Sequence, residues 1–407
     1  MNFLFAWRYF KSKKSTNAIN IIAWISVVAI AVGTAALITV LSVFNGFEDL
    51  VKSLYGDFYS DIKVAPAQGK FIKITSSEIK KLDFIAGIKK TSLVIEEKAF
   101  LVNGEAQSLV FLKGVDEHFR EVSGLNSHIV RGDYNMGAVD TPRLVMGTGI
   151  VNAAGINEDP AFQNPELTIY LPNRAASNYT SIDAMNSYTV QWAGTFMVQQ
   201  EFDNKYAFTN IGFVQYMLNL KPDEYSGIEV AVNNPEEMDK VRDEIQLALG
   251  KRFKVQTRYE QNQNLYTIMQ VEKWVIYAIL SLILVVAAFN MIGALTMLVL
   301  EKQKDIAVLK AMGATQGMIQ RIFLSEGFVL AGVGGIAGMF IAFIICLLQF
   351  KYHFIKLQGG TFIIDYYPVK ISPFDFILVA ATVMLVAVLA AWIPSRKASV
   401  QDFSLKS

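Results

Sequence analysis

Among 407 residues there is one cysteine, Cys346, so neither an intrachain disulfide nor a multi-thiolate metal site can form. Histidine is nearly as scarce. His118, His128 and His353 include no His-x-x-x-His pair, which leaves a catalytic zinc centre or a histidine-based nucleophile without support. A phosphate-binding loop is missing too: Lys70 and Lys251 each follow a glycine, but Phe71 and Arg252 come next, and the upstream glycine is absent. The chain is therefore not expected to hydrolyse ATP, and no catalytic residue and no metal ligand are assigned. Charge is also sparse, at 18% against 53% hydrophobic residues, which argues against disorder and against an ordinary soluble enzyme. With 37 basic and 36 acidic groups, no polybasic surface for nucleic acid exists.

Near-neutrality hides a partition. Residues 46–270 carry 29 acidic and 22 basic groups, a net of −7, and the rest of the chain has 7 acidic and 15 basic, a net of +8. That remainder holds four stretches without any Asp, Glu, Lys or Arg: 15–47, 274–300, 327–350 and 376–395. Each is long enough to cross a hydrocarbon core, which takes about 20 apolar residues. The first is far longer than a signal-peptide core of about 7–15 residues and reads as a retained helix. At about 1.5 Å rise per residue, spans one and two outreach a hydrocarbon core about 30 Å thick and should project beyond it.

Basic residues set the orientation. Arg8, Lys11, Lys13 and Lys14 precede span one, Lys302, Lys304, Lys310 and Arg321 separate spans two and three, and Arg396, Lys397 and Lys406 follow span four. Four spans put these regions on one side, the cytoplasm by the positive-inside rule, and the acidic segment outside. The division read from the sequence is a cytoplasmic N-terminus 1–17, helix 1 with its outward extension 18–50, and an α+β domain 51–265. There follow helix 2 with its extension 266–300, a cytoplasmic connecting element 301–321, helix 3 at 322–350, an outer loop 351–372, helix 4 at 373–395 and a cytoplasmic tail 396–407.

The outer segment has the signals of a folded mixed domain. Ser108–Leu112, Leu167–Leu171 and Ile228–Val232 read as strands, with turn chemistry at Asn103-Gly104 and Asn233-Asn234-Pro235. Helical patterns cover Ser76 to Leu82 and Pro235 to Leu249, the second with proline and acidic residues at its start and Gly250 at its end.

After span two, charges at 301, 302, 304, 305 and 310 alternate with apolar Ile306, Val308, Leu309 and Met312. This pattern predicts an amphipathic helix at the membrane surface, ended by Gly313 in a left-handed conformation and followed by Thr315 as the cap of the next helix. It suits either a solvated connector or a docking element for a cytoplasmic partner.

Ala288-Phe-Asn-Met-Ile-Gly-Ala-Leu-Thr-Met-Leu-Val-Leu-Glu-Lys302, then Asp305-Ile-Ala-Val-Leu-Lys-Ala-Met-Gly-Ala314, resembles the transmembrane subunits of lipoprotein-releasing ABC systems, LolC and LolE. Leu41-Ser-Val-Phe-Asn-Gly-Phe-Glu48, Gly114-Val-Asp116, Arg131-Gly-Asp133 and Pro394-Ser-Arg-Lys-Ala398 resemble the same family. The tail after Ala398 departs from the family's Asp-Pro and Glu-Ala-Leu pattern. The resemblance implies a membrane protein with four transmembrane α-helices plus a large α+β periplasmic domain between helices 1 and 2, in the bacterial inner membrane.

It further implies a permease subunit that extracts lipoproteins from the outer leaflet and passes them to a periplasmic carrier, driven by a separate ATPase dimer. That ATPase holds ATP and Mg, and this chain binds no cofactor. A second permease subunit, homologous or identical, completes the complex. The coupling element falls on Lys302, Asp305, Ile306, Leu309, Lys310, Met312, Gly313 and Ala314. Asp305 and Lys310 are expected to make polar contacts with the ATPase, and Ile306, Leu309 and Met312 to fill its groove. Val40, Val43, Phe44 and Phe47 of span one, with Tyr266, Met269, Trp274 and Tyr277 of span two, are expected at the lipid or lipoprotein cavity, although packing residues have the same appearance. Gly332, Gly334, Gly335 and Gly338 form a small-residue face on span three that suits close helix packing. A macrolide- or peptide-exporting permease and a non-transporting regulator of a cell-wall hydrolase are the alternatives. A carrier-binding hairpin has no specific signal, although 160–180 has room for one.

Overall fold

The computed structural model describes residues 17–159, 167–174, 184–357 and 364–400. The four N-terminal basic residues, Lys406 and most of 160–180 lie outside them. The chain divides into two compact units, one of residues 1–50, 267–357 and 366–407, the other of residues 51–266 and 358–365.

Helix α1 (Asn17–Phe58) runs from the first unit into the sequence of the second. The second unit then contributes β1 (Ile62–Pro66), β2 (Ile72–Lys73), α2 (Ser76–Asp83), β3 (Ile88–Asn103), β4 (Ala106–Val115), β5 (Ile129–Gly132) and β6 (Arg143–Gly147). Next come α3 (Thr148–Ala153), β7 (Thr168–Pro172), β8 (Met185–Thr189), β9 (Gln191–Phe196), β10 (Tyr206–Asn210) and α4 (Ile211–Met217). The unit closes with β11 (Glu224–Tyr225), β12 (Gly227–Val232), α5 (Met238–Leu249) and β13 (Phe253–Thr257).

Eleven of these strands form one mixed sheet in the order β13-β1-β12-β3-β4-β10-β6-β9-β5, with β7 on β3 and β8 on β7. Among the described residues, β10 with β4 and β6 with β9 are the parallel pairs. The 16-residue β3 organises the sheet: β4 lies along one edge, while β12 and β7 share the other. The β3–β4 hairpin turns at Gly104, φ +60, at the first position of a two-residue loop, as a primed turn requires. β7 and β8 pair antiparallel, and residues 175–183, between them in sequence, lie outside the described residues.

Two apolar sets form on different parts of the strand order, one on β1, β12 and β13 and the other on β3, β4, β6 and their neighbours. Leu101, Val110, Leu112, Leu144 and Met146 pack with Ile150 of α3 and Phe213 of α4, while Ile62, Val64, Val230 and Val255 pack with Leu82 of α2 and Val241 and Ile245 of α5. Phe58, the last residue of α1, belongs here: its ring stacks on Phe202 at 4.0 Å between centroids and meets Tyr206 edge-on at 4.8 Å.

The other unit is helical. Besides α1 it contains α6 (Gln263–Glu301), α7 (Gln303–Ala311), α8 (Gln316–Tyr352) and α9 (Pro373–Val400). α1, α6, α8 and α9 are long and apolar enough to cross a membrane. Not only the first two but also α8, with 37 residues, and α9, with 28, exceed a hydrocarbon core about 30 Å thick: at about 1.5 Å per residue they span roughly 55 and 42 Å. Helix 3, expected at 322–350, starts at Gln316 directly after the Thr315 cap expected from the sequence, and so takes in Arg321 as well. Close packing comes from small residues. A Cβ on Gly334 would sit 2.7 Å from the Val27 carbonyl, one on Gly338 would strike the Ala31 carbonyl, and Gly335 faces Val383 of α9. Gly332 has open space instead.

Candidate functional site

The C-terminal part of α1 meets the first turns of α6 and α9 in one polar junction. Asp375 occupies the first turn of α9, where the helix dipole favours a carboxylate, and is 1% exposed. Burial of that charge demands partners. Asn45 of α1 donates from Nδ2 to Asp375 Oδ2 at 2.5 Å, and Lys273 of α6 donates from Nζ to Asn45 Oδ1 at 2.7 Å. Lys273 Nζ also stands 3.9 Å from Asp375 Oδ1. Asn45 thus uses its acceptor and its donor to relay between an ammonium and a carboxylate. One helical turn further along α6, Tyr277 shares a hydrogen bond with Thr382 of α9.

A cavity of about 270 Å³ opens against this junction. Lys273, Asp375, Glu48 and Gln270 supply its polar wall, and Leu41, Trp274, Tyr277, Phe374 and Leu378 its apolar and aromatic one. The segment after α8 is pinned beside it. Buried Gln349 donates to the carbonyls of Ile355 and Tyr367 and accepts from the Ile355 amide, and Lys370 N–H bonds the Ser42 carbonyl. Gly46 gives that segment access, since a Cβ there would run into the Pro368 carbonyl. Phe47 meets Tyr367 edge-on at 5.8 Å, and Lys370 Nζ pairs with Asp49 at 2.5 Å. The Asn45-Gly46-Phe47-Glu48 run therefore has four separate jobs: relay, close approach, ring contact and cavity wall.

The MacB-like periplasmic core domain matches residues 23–248, and the FtsX-like permease C-terminal matches 277–402. The chain belongs to the MacB-like periplasmic core domain family. LolE of Haemophilus influenzae, a lipoprotein-releasing system transmembrane protein, is 24% identical over 98% of this chain and 96% of its own. LolC of Neisseria meningitidis serogroup B, of the same description, is 28% identical over 97% and 96%, and LolC of Xylella fastidiosa 22% over 96% and 95%. The resemblance to lipoprotein-releasing permease subunits read from the sequence is borne out across nearly the whole chain.

In this permease the segment after α6 folds as α7. Lys302 caps it and pairs with Asp305 at 3.4 Å. Its end is a Schellman turn: the Gly313 amide bonds the Lys310 carbonyl, the Ala314 amide bonds the Leu309 carbonyl, and Gly313 has φ +93. Thr315 then accepts from the Met318 amide to start α8. The structure alters the expected apolar face. Ile306 is 2% exposed and belongs to the helical core, and Leu309 is half-buried. Val308 and Met312, the latter 79% exposed, are exposed apolar side chains of this segment. Asp305 is exposed and Lys310 half-buried.

Of the residues expected at a lipid cavity, Trp274 and Tyr277 line the one described here. Val40 is exposed, Val43, Phe44 and Phe47 are half-buried on α1, and Met269 is buried on α6. Tyr266 falls in the strand-rich unit, edge-on to Tyr259. Sequence reasoning missed the Lys273–Asn45–Asp375 relay. Its only signal was that Lys273 and Asp375 bound charge-free runs and that Asn45 interrupts an apolar one.

Proposed function

We propose that the chain is the permease subunit of an ATP-driven system that lifts lipoproteins from the outer leaflet of the inner membrane and hands them to a periplasmic carrier. The observation that supports this best is the match, at full length, to relatives named for lipoprotein release, on a chain with four membrane-length helices and a separate strand-rich unit. The four helices span the inner membrane, with basic ends in the cytoplasm and the acidic strand-rich unit, between helices 1 and 2, in the periplasm. A separate ATPase dimer carrying ATP and Mg docks on α7, with Val308 and Met312 as anchors and Asp305 and Lys310 as polar contacts. A second permease subunit encloses the client, and the β7–β8 pair is where a carrier would be met.

An energy source is required. Each acyl CH₂ held in the membrane is worth about 0.8 kcal/mol, so withdrawing several long chains costs tens of kcal/mol before a carrier offsets it. The chain supplies stiff helices for that work rather than reacting groups. Depletion in cells tests the reading: mature lipoproteins should accumulate in the inner membrane. Normal sorting with a new drug sensitivity would favour export, and normal sorting with cell chaining would favour the regulator.

A further inference from the structure

We propose that the open edge of β8 takes up, as one added strand, the extended polypeptide that follows the acylated end of a lipoprotein client. The identity of the client rests on the proposed release function; the binding mode rests on the sheet alone. Two bonds that continue the β7–β8 ladder fix its phase. The Val190 amide bonds the Leu167 carbonyl at 2.9 Å, and the Asn173 amide bonds the Ala184 carbonyl at 2.7 Å. With Ile169 opposite Tyr188 and Leu171 opposite Asn186, the main chain of these even-numbered residues faces β7. The amides and carbonyls of Met185, Ser187 and Thr189 therefore point the other way, and among the described residues no strand pairs with that edge. Such a row of strand groups is a template for another chain.

A cavity of about 490 Å³ lies along this edge. Ser187, Tyr188 and Thr189 line it from β8, and Asp140, Thr141 and Pro142 from the turn before β6. The two sides are tied together: the Gln191 amide bonds the Pro142 carbonyl at 3.2 Å, and the Tyr188 hydroxyl donates to the Asp140 carbonyl at 3.0 Å. The turn is braced in itself, by Ala138 N–H on the Thr141 carbonyl and Arg143 N–H on the Met136 carbonyl. Gln191 is thus the last rung of the β6–β9 ladder, and Thr189 and Ser187 are the next two, left open. What fits there is a chain rather than a folded surface, since the volume is that of a pocket for one ligand and the bonds on offer are main-chain bonds, blind to sequence. Hydroxyls, an amide and one carboxylate, Asp140, surround it in a segment of net −7, so small polar residues are favoured and acidic ones repelled. Among the partners of the proposed function, the client is the one that must present extended chain. Its acyl groups sit in the bilayer, its folded part stands clear of it, and a stretch of polypeptide joins the two.

The test uses the purified full chain in nanodiscs and a fluorescein-labelled peptide of serine, asparagine and glutamine, followed by fluorescence anisotropy. The peptide should bind, and the same peptide N-methylated throughout, which has no amide donors, should bind about ten-fold more weakly or worse. Thr189→Pro removes an amide from the open edge and leaves the ladder to β7 intact. It should weaken binding of the unmodified peptide about five-fold, and Thr189→Val, which keeps the amide, should not. Equal binding of the two peptides, or binding unchanged in Thr189→Pro, would overturn the strand addition, and the first comparison needs no variant to fold. For the occupant, Thr141 is replaced by photoreactive benzoylphenylalanine, and the chain is reconstituted with its partners, a triacylated lipoprotein and the carrier. Illumination should join position 141 to client residues close behind the acylated cysteine. Capture of the carrier instead, or of the client's folded domain alone, would overturn the client assignment. The peptide assay contains no ATP, ATPase or lipoprotein, so its failure leaves the release function to its own experiment.

Discussion

Each unit of the molecule sets a lysine against a buried carboxylate, and the two pairs are built for different ends. In the strand-rich unit Lys113 of β4 meets Glu229 of β12 at 2.5 Å with the side chains 4% and 2% exposed, and the ammonium also lies 4.9 Å from the centre of the Phe119 ring. That pair is sealed, and nothing outside can reach it. In the helical unit Asp375 is as deeply buried, but Lys273 keeps 30% exposure and faces a cavity. The same chemistry holds a sheet together in one place and presents a charge in the other. The contrast extends further: the strand-rich unit hides its aromatic cluster around Phe58 and Phe202, while the helical unit leaves Val308 and Met312 bare on α7.

The largest effect is expected on the side that is displayed. Met312→Asp should weaken ATPase association by roughly 30-fold or more in a pull-down, the scale of an interface anchor, while membrane insertion is unchanged. Retained association would move the docking surface off α7.

The sealed pair comes next. Lys113→Met strands a buried carboxylate and should destabilise the strand-rich unit by about 3–5 kcal/mol, lowering the thermal midpoint of the full chain, whereas Lys113→Met with Glu229→Leu should recover most of the loss. If the double variant melted like the single one, the pair would not be a self-contained structural element.

Helix packing should respond more mildly. Gly338→Leu overpacks the contact with the α1 backbone and should cost about 1–3 kcal/mol, and Gly332→Leu, which meets open space, much less. Melting of the two variants in detergent compares them directly.

The smallest effect depends on pH. Asp203, 5% exposed, accepts the Val198 amide, and burial outweighs that bond and pushes its carboxyl up to about 6. A carboxyl raised above its unfolded value of about 3.9 stabilises the fold fully below that value, and the contribution disappears as pH rises through about 6. At neutral pH its charge is therefore a net cost to the fold. Asp203→Asn should raise the thermal midpoint above pH 7 and flatten its change between about pH 4 and 6. An unaltered slope would assign that pH dependence to other groups.

What the sequence disclosed follows from how local each signal is. Charge-free runs locate helices because solvation by lipid depends on composition alone, and Gly313 and Gly250, with φ +93 and +79, were readable because helix ends are set by neighbouring residues. The strands at Ser108–Leu112 and Ile228–Val232 were visible by their own pattern, but their neighbours in the sheet were not, because β12 lies between β1 and β3 through pairings far apart in the chain. Distance along the chain also hid the relay: Asn45, Lys273 and Asp375 are individually ordinary, and only three packed helices make them one group. Ile306 shows the same limit. Periodicity put it on an apolar face, and packing decided that the face turns inward.

Reconstitution tests the central claim most directly. The full chain, its partner permease and the ATPase are placed in liposomes containing a triacylated lipoprotein, a soluble periplasmic carrier is added outside, and lipoprotein recovered with the carrier is measured with and without ATP. The account predicts ATP-dependent transfer that Met312→Asp removes; lipoprotein that stays in the liposomes despite continuing ATP hydrolysis, or transfer that needs no ATP, would contradict it.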